Sequence, residues 1–205
     1  MTLPRGTITF MAETRFVWLL ISLVFAPLLD DALLGSLVFL VGLTAVFATG
    51  VLANLHRRRM VIGSGIVAAV ALPTLWLTTL TESRGVSLSG VGLAILFCVF
   101  TTVLILTAVV KDRAATPDAV LGAISAYLLM GLTWALAYTA VEVVQLQTAF
   151  VTSQRVAAAE TTFSPFTDIV YFSFVTMSTL GYGDMTPATT AARTLAWMQS
   201  VAGQF

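Results

Sequence analysis

In this chain of 205 residues, the types and spacing that could do chemistry lie in Thr179-Leu180-Gly181-Tyr182-Gly183-Asp184. Gly181 and Gly183 flank Tyr182, and glycine takes backbone angles closed to other residues. Carbonyls of consecutive residues can then point the same way, toward one axis. Four copies of such a strand would stack rings of oxygens able to replace the water shell of a dehydrated monovalent cation. Thr179 would add a ring of hydroxyls at the inner end. The Tyr182 ring is expected to point away from the axis and to pack against the helix before it, holding the ring diameter from behind.

That helix is expected over Pro165 to Ser178. Ser164 followed by Pro165 is a good start, a hydroxyl cap with proline at the first helical position. Asp168 in the first turn suits the positive end of the helix dipole. The segment is too short to span a bilayer, which needs about 20 residues. A half-length helix followed by extended backbone is tolerated at membrane depth only when buried in protein or lining a watery cavity. The segment therefore re-enters the membrane, with the negative end of its helix aimed at the membrane centre.

Composition sets the class of everything around it. Hydrophobic residues make up 58% of the chain and charged ones 10%, and mean hydropathy is +0.96. A soluble domain is nearer a quarter charged, so this is an all-α integral membrane protein. Six hydrophobic segments can be marked: about Phe16 to Leu29, Ala32 to Leu55, Met60 to Leu80, Val86 to Val110, Ala119 to Val144, and a last one from Thr190 or Ala191. Pro73 is expected to kink the third, and Thr81 to Gly85 to form a tight link. The polar stretch Gln145 to Ser164 precedes the re-entrant helix. The sixth segment is expected to be truncated at Phe205, since about fifteen residues at 1.5 Å each reach only ~22 Å of a ~30 Å core. Without a credible cleavage site, the first segment reads as a retained anchor.

Charge orients the chain. With the N-terminus cytoplasmic, Arg5, Arg15, Arg57, Arg58, Arg59, Lys111 and Arg113 fall inside and only Arg84, Arg155 and Arg193 outside. That follows the positive-inside rule. Asp30, Asp31, Glu82, Glu142, Glu160, Asp168 and Asp184 fall outside, against Glu13, Asp112 and Asp118 inside. The outer face is then negative, which would gather cations at a pore mouth or simply reflect avoidance of basic residues there. Glu142 belongs near the outer end of its helix or with a buried structural partner. Cys98 is a packing residue, and His56, beside the arginines, is a solvated residue or a pH sensor. Trp18, Trp76, Trp134 and Trp197 suit interface or packing roles. Paired carboxylates, metal-ligand clusters and Ser/His arrangements are missing, so no enzyme, cofactor or nucleic-acid partner is expected.

The motif resembles that of the potassium channel family, whose filter is usually written Thr-Val-Gly-Tyr-Gly-Asp. The likeness extends to Asp168, Tyr171-Phe172, Thr176, Ser178-Thr179 and Met185-Thr186-Pro187, and is best with bacterial and archaeal channels. It covers about Ala119 to Phe205. It implies a homotetramer in the lipid bilayer of a prokaryotic cell membrane. Carbonyls of Thr179, Leu180, Gly181 and Tyr182, with the Thr179 hydroxyl, would hold permeant K+. Gly183, Asp184, Tyr171, Phe172, Thr176 and Ser178 would support the filter. Leu180 departs from the common valine, but its carbonyl is what coordinates. Gly203 falls where this family often carries a hinge glycine; close helix packing is the other reading.

Two regions result: 1–115, four helices in the position of a voltage sensor, and 116–205, a pore region of outer helix, re-entrant helix, filter and partial inner helix. Voltage sensing needs several basic residues carried through the field. Val86 to Val110 contains none, so no working sensor is expected. Arg57 to Arg59 would set topology and touch anionic lipid. The competing readings are a poorly selective cation channel and a non-conducting regulatory protein derived from one.

Overall fold

The computed structural model describes residues 41, 42, 44, 58–78, 83–111, 117–146, 149–152 and 166–204. The expected segments 16–29 and 32–55 lie outside these residues, apart from Val41, Gly42 and Thr44, which are helical. Ser164, Pro165, His56 and Trp18 also lie outside them.

Beyond Val41, Gly42 and Thr44, five helices and one two-stranded antiparallel sheet make up the described fold. Helix α1 is Arg58–Thr78, α2 is Arg84–Lys111 and α3 is Pro117–Val144. Strand β1, Phe150–Thr152, follows, then α4, Phe166–Met177. Strand β2, Met185–Pro187, and α5, Thr190–Ala202, complete it. Two helical stretches among the described residues, Arg84–Thr107 and Ala119–Val144, are long and apolar enough to cross a membrane. At about 18 Å for its twelve residues, α4 is not.

Local sequence explains where these helices begin. The Ser83 carbonyl accepts Ser87 N–H at 3.0 Å, so α2 opens at Arg84 and takes up part of the expected Thr81–Gly85 link. Proline and then aspartate open α3, an arrangement matched to the free N–H groups and positive dipole of a helix start. Helix α1 runs unbroken through Pro73. On the next residue the Thr74 hydroxyl donates to both Val70 O and Ala71 O at 2.9 Å.

Packing runs in chain order. Helix α2 lies between α1 and α3, while α3 also carries α4 and α5. Small residues let the first three approach: Ala68 and Ala71 on α1, Ala94 on α2 and Ala135 on α3 are all buried. Leu96, Val99, Phe100, Val103, Leu106 and Val110 form an exposed apolar side of α2. Such a surface is costly in water and at home in lipid.

One expectation needs correction. The chain is not wholly helical: β1 and β2 pair antiparallel, with Phe150 opposite Pro187, Val151 opposite Thr186 and Thr152 opposite Met185. A three-residue strand carries too little alternation to be seen inside a polar stretch. Its partner lies more than thirty residues further on.

Candidate functional site

Helix α4 ends in two backbone bonds. Leu180 N–H donates to Val175 O at 3.0 Å and Thr179 N–H to Thr176 O at 3.1 Å. This is the Schellman pattern, in which the residue just past the cap turns left-handed. Glycine usually takes that place. Here it is Thr179, at φ +58°, and holding a β-branched residue there costs on the order of 1–3 kcal/mol. The end of the helix and the start of the loop are thus one structural event.

The loop continues the alternation. Gly181 has φ +61° and Gly183 φ +77°, while Leu180 and Tyr182 between them keep negative φ. An extended strand turns successive carbonyls to opposite sides. Reversing the sign of φ at every second residue undoes that half-turn and brings successive carbonyls toward one side. A Cβ built on Gly181 or Gly183 would meet no heavy atom within 4 Å, so these positions are demanded by backbone angle and not by crowding.

Asp184 closes the loop. Its carboxylate accepts the Tyr171 hydroxyl at 2.9 Å and Met185 N–H at 3.0 Å. The middle of α4 therefore holds the far end of the loop that its own C-terminus began. Tyr171→Phe removes this tie and leaves the aromatic ring in place. Its expected effect is a lower unfolding temperature in detergent, with the helical content unchanged by circular dichroism.

Beyond Asp184, α3 holds the chain from behind. Glu142 is buried one turn from the end of α3, and its carboxylate accepts Ala149 N–H at 2.9 Å. Both expectations for Glu142, the helix end and a buried partner, describe the same place. Ala149 O accepts Ala188 N–H at 2.8 Å, extending the β1–β2 ladder. The Thr189 hydroxyl caps α5 by accepting Ala192 N–H at 3.4 Å and donates to Gln145 Oε1 at 2.5 Å.

Aromatic and polar groups fill the space between the helices. Phe172, Tyr138 and Phe150 meet edge to face with ring centres 5.0 to 5.5 Å apart. Below them the Tyr138 hydroxyl donates to Gln199 Oε1 at 2.6 Å. Gln199 Nε2 donates to Ser173 O at 2.9 Å and to Ser173 Oγ at 2.8 Å. The Ser173 hydroxyl then donates to Gly131 O at 2.7 Å. All three side chains are buried.

The structure therefore brings Thr179, Leu180, Gly181, Tyr182, Gly183 and Asp184 into one loop on the end of α4, with Tyr171 bonded to it and Phe172 buried behind it. Thr176 supplies a capping carbonyl, and the Ser178 hydroxyl donates back to Phe174 O at 2.7 Å. Tyr182 departs from expectation: it is 67% exposed, and the packing expected of it is not made within one chain. The buried side of α4, from Ile169 to Met177, is already occupied by α3 and α5. Gly203 has right-handed angles, φ −75° and ψ −13°. A Cβ there would lie 2.5 Å from Met177 O, so close packing against the end of α4 is one reason for glycine. Ser173, Gln199, Tyr138, Gln145 and Thr189 escaped sequence reading. The one signal was a glutamine in the apolar half of a short helix, between Met198 and Ser200.

Residues 126–204 match a family model described as an ion channel. No curated protein and no solved structure matches the chain. The matched span takes in most of α3 and all of the two-stranded sheet, α4, the alternating loop and α5. Residues 126–204, the alternating loop among them, are thus similar to an ion-channel domain.

Proposed function

We propose that the chain is a subunit of a potassium-selective channel, four copies of which surround one axis in the cell membrane. The observation that carries this reading is the alternation of φ sign at Thr179, Gly181 and Gly183. Carbonyls of Thr179, Leu180, Gly181 and Tyr182, with the Thr179 hydroxyl, would replace the water shell of K+ as it passes. One loop supplies a quarter of each oxygen ring, so a closed ring calls for cyclic symmetry. Supporting this, Leu180 (58% exposed) and Tyr182 in the loop and Trp197, Met198 and Val201 on α5 all stand open. An apolar surface of that kind suits coverage by neighbouring copies. Gly203 would serve as the hinge of the inner helix as well as its packing point. Helix α2 has no basic residue between Arg84 and Lys111, so opening should vary little with voltage.

The test is the reversal potential in a planar bilayer with K+ on one side and Na+ on the other, alongside crosslinking in mild detergent. A reversal close to the K+ equilibrium value and a four-subunit product are expected. Clear current reversing near zero would instead make the pore nonselective. A crosslinked species no larger than a dimer would contradict the ring.

A further inference from the structure

We propose that Gln199 is a positioning residue of the pore: it bridges Tyr138 on α3 and Ser173 on α4, and so ties the placement of α5 to the geometry of the filter. This rests on the channel reading above.

Gln199 is 0% exposed, and both ends of its amide are used. Each bond has one possible direction. Tyr138 must donate to the amide oxygen, because the amide nitrogen is donating to Ser173 O, a carbonyl that can only accept. Ser173 Oγ accepts from the same nitrogen and spends its own proton on Gly131 O. The network therefore has a single arrangement, and a hydrocarbon side chain in place of Gln199 could not reproduce it. Burying an amide inside an apolar bundle is costly unless every bond is made. A residue needed only to fill that volume would more cheaply be leucine.

The second observation is register. Gln199 and Gly203 lie one turn apart on α5, and Ser173 and Met177 lie one turn apart on α4. Gln199 bonds Ser173, and Gly203 sits against the Met177 carbonyl. The two helices thus meet at two matched levels, running in the same sense. Met177 lies two residues before Thr179, where the alternating loop begins. A shift of α5 along or about its axis must break the upper contact, press on the lower one, or drag the end of α4 with it. Of these, dragging α4 changes the first carbonyl ring. Interfaces of this kind switch between discrete arrangements and do not deform smoothly.

The titratable group bonded at this position is the Tyr138 hydroxyl, while Glu142, one turn further along α3, is bonded to Ala149 N–H. Gln199→Glu turns the bridge into one that protons control. A neutral carboxylic acid can accept from Tyr138 and donate to Ser173 O, which keeps both sides of the bridge and gives up only the amide's second donation, to Ser173 Oγ. Ionised, it can only accept, and its oxygen would face the Ser173 carbonyl. Burial raises a carboxyl pKa, so the neutral form persists on the acid side.

The experiment compares K+/Na+ permeability ratios of the full chain and Gln199→Glu in bilayers at about pH 5 and about pH 8. The variant should match the parent at the acid pH and fall by about tenfold at the alkaline one, the effect of one broken buried hydrogen bond. Tyr138→Phe, which keeps the ring contacts with Phe150 and Phe172, should lower the ratio several-fold at both pH values. Parent-like selectivity of both variants at both pH values would overturn the proposal. So would equal impairment of Gln199→Glu at both pH values beside a parent-like Tyr138→Phe. A parent chain without K+ selectivity would instead overturn the channel reading itself.

Discussion

Gly181→Ala is expected to abolish K+-selective conduction while leaving the subunit folded. The residue has φ +61°, and a Cβ there would touch nothing within 4 Å. Sterics against neighbours are therefore not the cause. The cost is internal to the backbone, about 1–2 kcal/mol for an L-residue in the left-handed region, and it would recur in every copy around the ring. The loop can relieve it by rotating the peptide, since among the described residues none lies within 4 Å of a Cβ placed there. That rotation carries a carbonyl away from the side its neighbours share. The measurement is the reversal potential between K+ and Na+, with thermal unfolding in detergent as the control for folding. Selectivity retained by Gly181→Ala would remove this glycine from the conduction path.

Gly203→Ala is expected to act through the opposite cause, a collision. Its Cβ would lie 2.5 Å from Met177 O and 2.8 Å from Met177 Cγ. The carbonyl belongs to the backbone of α4 and cannot rotate aside as a side chain can. Overpacking of this kind costs about 1–3 kcal/mol, delivered two residues before Thr179. The expected result is a lower unfolding temperature in detergent together with a loss of selective current. A hinge role alone would have another signature: fewer openings with stability and selectivity unchanged. Measuring unfolding and open probability on the same preparation separates the two.

Much of the described fold was legible in the residues themselves. Long uncharged runs bracketed by charges located α2 and α3 to within about two residues at each end, because a membrane helix must satisfy its backbone internally and exclude charge. The glycines at every second position of the loop announced a backbone with unusual angles. Tertiary structure decided the rest. That Thr179, and not only the glycines, turns left-handed depends on the Schellman bonds that end α4. That Tyr182 is left open depends on which side of α4 its own chain already covers. The strand pair joins Phe150 to Pro187, and the buried bridge joins Tyr138 to Gln199. Contacts between residues so far apart in the chain leave no periodic trace, and a single serine or glutamine in an apolar helix looks the same whether it faces a partner or nothing. Sequence determines what each segment must avoid, charge in lipid and unpaired backbone at depth. Only the packed chain determines which distant side chain supplies the missing bond.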